Sequence, residues 1–187
     1  MRFIHLAFVA GTLVACTSFP APEPLSILDE RTGITLTVVD APLVLARERR
    51  DLAANARDYL TMAAVSRNES GRITQALLVH RWSTIDARVT PPIPTRLPGL
   101  VIVADGRDIR PTPMSPVPRE FTASAAYKLW LPDVSQVETT AYQIDAPTLR
   151  FIAESNRVSA FYDSADDALP YALWRDGRPA LQRFVSP

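Results

Sequence analysis

Seventeen prolines stand against six glycines, and eight of the prolines fall in two runs, at 91, 92, 94 and 98 and at 111, 113, 116 and 118. A proline has no N–H and a fixed φ, so helix interiors and central strands must lie between such runs. The chain is thereby cut into short segments that favour strands and stiff loops. Ile34, Leu36 and Val38 alternate with Thr35 and Thr37, the pattern of a half-buried strand. Leu43 to Arg47 reads as a second strand. Tyr59 to Arg67 and Arg72 to Ile85 read as a hairpin around Asn68-Glu69-Ser70-Gly71. The continuous apolar run Leu100 to Val103 suits a central strand, and Asp105-Gly106 supplies a tight turn into Arg107 to Arg110. Ala126–Leu131, Thr139–Ile144, Val158–Tyr162 and Tyr171–Trp174 complete the strands. Helical spacing is confined to Thr148–Glu154 and to a segment after Asp176 carrying Ala180, Leu181, Phe184 and Val185, with Asp176 as N-cap. The expectation is a mainly β fold, an antiparallel β-sandwich or a half-open barrel, with two short helices, one of them C-terminal. Residues 31–187 would form that single domain, since 187 residues are too few for two full ones after a leader and tether.

Hydrophobic residues make up 47% and charged residues 21%, which fits neither a disordered chain nor a multi-span membrane protein. Twenty basic residues balance twenty acidic ones, so no global field draws the chain to nucleic acid. The glycines at 11, 33, 71, 99, 106 and 177 lack the spacing of a dinucleotide fingerprint, and Lys128, the only lysine, lies in no glycine-rich loop. Nucleotide binding has no support.

Arg2 precedes an uncharged stretch from Leu6 to Val14, the layout of a secretory signal. As a membrane span it is too short, since about 20 apolar residues are needed. It ends in Leu13-Val14-Ala15-Cys16. This resembles the lipobox of bacterial lipoproteins cleaved by signal peptidase II. The resemblance implies a signal peptide over 1–15 and a covalent diacylglycerol and N-acyl chain at Cys16, the lone cysteine, with no other cofactor. Thr17 and Ser18 follow, with no Asp at the second mature position. In the sorting rule that the resemblance implies, such a chain goes to the outer membrane, facing the periplasm. Residues 16–30 read as the lipidated cysteine and a tether stiffened by Pro20, Pro22 and Pro24. At about 3.1 Å per residue it could hold a domain about 30 Å off the membrane. The mature domain resembles uncharacterised proteobacterial lipoproteins, with no motif that transfers a function.

After the leader there is one histidine, His80, and one cysteine, too few for a zinc site of that type, and no metal is expected. No serine sits in a Gly-x-Ser-x-Gly elbow, so no catalytic residue is assigned. Asp163, Asp166 and Asp167 read as a solvated acidic loop. Arg47, Arg49 and Arg50 read as a solvated loop that Glu48 and Asp51 can neutralise. The hairpin is more specific. With a four-residue loop, Met62 opposes Leu77, Leu60 opposes Val79 and Asp58 opposes Arg81 on one face; Tyr59 opposes His80 and Arg57 opposes Trp82 on the other. Arg57, Tyr59, His80 and Trp82 then form a candidate interaction patch of aromatic and arginine character, unless the crossover from Pro91 to Pro98 covers it as core. The expected function is a non-catalytic binding or assembly-support module, held to the membrane by its lipid and meeting another envelope protein. A hydrolase with a site invisible in the sequence and a purely structural lipoprotein are the alternatives.

Overall fold

The computed structural model describes residues 23–52, 55–84, 99–123, 137–163 and 169–186. The lipobox, Cys16, Pro20, Pro22, the crossover at 91–98, the strand expected at 126–131, and Asp166 and Asp167 lie outside those residues. Eleven strands are described: β1 (Leu25–Asp29), β2 (Ile34–Val38), β3 (Leu43–Glu48), β4 (Arg57–Glu69), β5 (Arg72–Ser83), β6 (Gly99–Ala104), β7 (Arg107–Ile109), β8 (Thr112–Met114), β9 (Val137–Gln143), β10 (Val158–Asp163) and β11 (Tyr171–Arg175). Among the described residues three short helices join them: α1 (Arg119–Ala123), α2 (Ala146–Glu154) and α3 (Arg178–Val185). Regular structure therefore begins at Leu25, inside the stretch read as tether, because β1 pairs residue for residue with β2. The helix α1 was also unforeseen.

All strands belong to one antiparallel sheet in the order β7-β6-β10-β11-β3-β4-β5-β9-β8, with β2 on the far half of β4 and β1 outside β2. The half-open barrel is thus the correct branch of the expectation: the described strands form one curled sheet rather than two packed ones. Curling shows in a contact between strands that are not neighbours. Arg81 of β5 lies 5.7 Å over the ring of Tyr162 on β10. Register puts these side chains on the face shared by Leu45, Leu60 and Val79, which is therefore the concave one. At its mouth Leu43, Met62 and Ile102 meet Leu149 and Ile152 of α2 and Leu181 of α3. Leu45, Leu60, Leu100 and Tyr171 are all but inaccessible there.

The helices are tied in by polar contacts. Asp145 caps α2 by accepting from Thr148 N at 2.7 Å. Arg150 donates to Val185 O, and Gln182 to Ala153 O, both at 3.0 Å. For α3 the N-cap is Gly177, not Asp176, whose carboxylate instead holds the Arg178 side chain and N–H. Gly177 is required for space: a Cβ there would lie 2.5 Å from the carbonyl carbon and oxygen of Pro42.

The hairpin of β4 and β5 is tighter than expected. Glu69 opposes Arg72, leaving Ser70 and Gly71 as a two-residue turn with φ of 52° and 87°. Two positive φ values fit the right-handed twist of the flanking strands, and Asn68 Oδ1 braces the turn by accepting from Gly71 N at 2.9 Å. Each residue of β4 consequently meets a partner two positions beyond the expected one. Asp58 opposes Ser83 rather than Arg81, and Tyr59 opposes Trp82 rather than His80. A shift of two preserves which face each side chain occupies.

Candidate functional site

One cross-strand row on the convex face runs Ala172, Ala46, Tyr59, Trp82, Val137. Direct opposition brings Tyr59 and Trp82 into a stack, ring centroids 4.0 Å apart and 7° from parallel. The Trp82 indole donates to Thr61 Oγ1 at 3.0 Å. Trp174 joins from β11, where the register shifts between Leu173 and Arg175. Its ring stands edge-on to Tyr59 at 6.0 Å and 82°. The Arg57 guanidinium lies 4.7 Å over the Trp174 ring, so the cation-π contact expected with Trp82 is made with Trp174. Arg57 also stands 3.7 Å from Glu48, which accepts from Arg50 at 2.7 Å.

Of the four expected patch residues, Arg57, Tyr59 and Trp82 share this cluster. His80 shares the face but not the surface. It is fully buried opposite Thr61 and Thr139, with Nδ1 3.0 Å from Thr139 Oγ1. Burial pushes its pKa down to about 4, so at neutral pH it is an uncharged core residue. Trp174, 57% exposed, and Leu169, 66% exposed, take its place at the surface. Beside them is a shallow hollow with Ala46 and Ala172 among its lining and Leu169, Pro170, Leu173 and Trp174 around it. Neither Trp174 nor Leu169 is signalled in sequence as part of the patch, because β11 reaches β3 only through pairing across more than 120 positions.

The arginine cluster differs from the expected solvated loop. Arg47, next to last in β3, has a nearly buried side chain, 4.4 Å over the Tyr171 ring. Its guanidinium and that of Arg49 both hold Asp58 Oδ2, at 2.8 and 3.0 Å. Burial raises the Asp58 pKa, and the bonds from the two arginines more than reverse it, leaving the carboxyl below its ordinary value. Arg49 also pairs with Asp51, so the neutralising partners read from sequence are in place, with Asp58 added. In the concave interior, burial pushes the Tyr142 hydroxyl up to about 12 and that of Tyr162 well above its usual range. Both remain protonated.

Among the described residues no group of three His, Cys, Asp or Glu is placed to hold a metal ion, and no helix is long and apolar enough to cross a membrane. The chain matches no family model, no curated protein and no solved structure. The convex cluster of Trp174, Tyr59, Trp82 and Arg57 is thus read on its own chemistry.

Proposed function

We propose that this chain is a lipid-anchored envelope protein, held at Cys16 on the periplasmic side of the outer membrane, whose β-domain is a non-catalytic docking module. The observation that supports the docking role is the aromatic and arginine cluster on the convex face, with Trp174 standing out of it. Aromatic and arginine side chains give large contact area per lost rotamer, which is why such groups anchor protein interfaces. Tyr59, stacked on Trp82, meets the exposed ring edge-on.

Two measurements test the two halves of the proposal. Replacing Cys16 by alanine should abolish labelling by a fatty acid and leave the precursor uncleaved; labelling at mature size in that variant overturns the anchor. Replacing Trp174 and Arg57 by alanine should leave the melting temperature within a few degrees, because both side chains are at least partly exposed. The same variant should lose the partner that co-purifies with the wild-type protein from solubilised membranes. Full retention of that partner overturns the docking surface.

A further inference from the structure

The convex cluster has a charge and a shape that together select the kind of partner. Arg57, over the Trp174 ring, shares the one carboxylate of Glu48 with Arg50, and Arg175 follows Trp174 in β11. Arg175 opposes Val44 on the same face and forms no ion pair among the described residues. Among the described residues this corner therefore carries more arginines than carboxylates, on a chain whose total is balanced. The hollow beside Trp174 is mainly apolar, with Leu169 and Pro170 on its wall and alanines in its lining, and Arg47, Glu48 and Arg57 along one side. A flat bilayer surface would leave it unfilled, whereas a protruding side chain enters it.

We propose, on the basis of the docking role above, that the surface takes an extended polypeptide segment in which apolar side chains alternate with Asp or Glu. An apolar side chain fills the hollow against Trp174, and the carboxylates that flank it meet Arg57 and Arg175. Guanidinium forks suit carboxylates in two-point contact, and the stacking of Arg57 on Trp174 pre-sets its orientation.

The test uses the full-length lipidated protein in a nonionic detergent and an eight-residue fluorescent peptide of alternating Leu and Asp, with Ser-for-Asp and Lys-for-Asp counterparts. The Asp peptide should bind about tenfold or more tightly than either counterpart, with an affinity that falls as salt is raised. Trp174→Ala should weaken it by about tenfold, and Arg57→Gln with Arg175→Gln should remove the preference over the Ser peptide. Equal binding of all three peptides, still sensitive to Trp174→Ala, overturns the acidic specificity while leaving a docking surface. Indifference of every peptide to Trp174→Ala overturns both. Trp174-dependent binding to phosphatidylglycerol vesicles with no peptide binding assigns the surface to lipid and overturns the proposal.

Discussion

His80 is held at a depth where its proton has no place. In the unfolded chain its pKa is about 6.5, and burial lowers it to about 4 in the fold. The unfolded state therefore binds more protons across that window. Stability from this residue is complete above the unfolded value and is lost as pH falls toward 4. The two values differ enough to cost about 3 kcal/mol between pH 7 and pH 4. Urea melts of the wild type and of His80→Gln across that range should show the slope in the first and a shallower one in the second; parallel profiles would place the acid sensitivity elsewhere. Asp58 obeys the opposite logic, being charged and buried with Arg47 and Arg49. Asp58→Asn leaves two guanidinium groups short of their carboxylate, and a loss of about 3 kcal/mol is expected by thermal melting. Gly177→Ala drives a methyl into the backbone of Ala41 and Pro42. Backbone cannot yield as a flexible side chain would, so a loss of about 2 kcal/mol or more is expected.

Among the elements, the β4–β5 hairpin marks how far the sequence could be read. Its strands and its two faces were legible from alternation and from Gly71. Its register was not, because Ser70 takes a left-handed φ that serine rarely adopts and so gave no sign of a two-residue turn. The faces nevertheless came out right, since an error of two positions moves no side chain across the sheet. For the patch this meant that Tyr59 and Trp82 were correctly placed on one face while their mutual stacking was missed. His80 could not be recognised as core because its partner Thr139 lies on β9, which pairs with β5 from about 60 positions away. Because Ser70 holds a left-handed φ of 52°, Ser70→Gly should stabilise the hairpin by up to about 1 kcal/mol, measured as a raised denaturation midpoint. A fall instead would show that the hydroxyl matters more than the backbone.

At the level of the whole molecule the β1 pairing changes where a folding unit begins. A fragment from Glu23 retains Leu25–Asp29 and should unfold cooperatively with a mainly β circular dichroism spectrum. One from Ile34 leaves the outer edge of β2 bare and should melt at a lower temperature or aggregate. Equal melting of the two would show β1 to be an ornament.

The strands at the two ends of the main path, β7 and β8, are consecutive in the chain, joined only by Arg110 and Pro111. A sheet this wide ordinarily has two margins that fray independently. Here a link of two residues spans at most about 11 Å between Ile109 and Thr112, so it acts as a clasp on an open cuff: neither margin can peel away without drawing the other with it. Cleaving the chain at that clasp would release both margins at once and offer their unpaired backbone to any neighbouring strand.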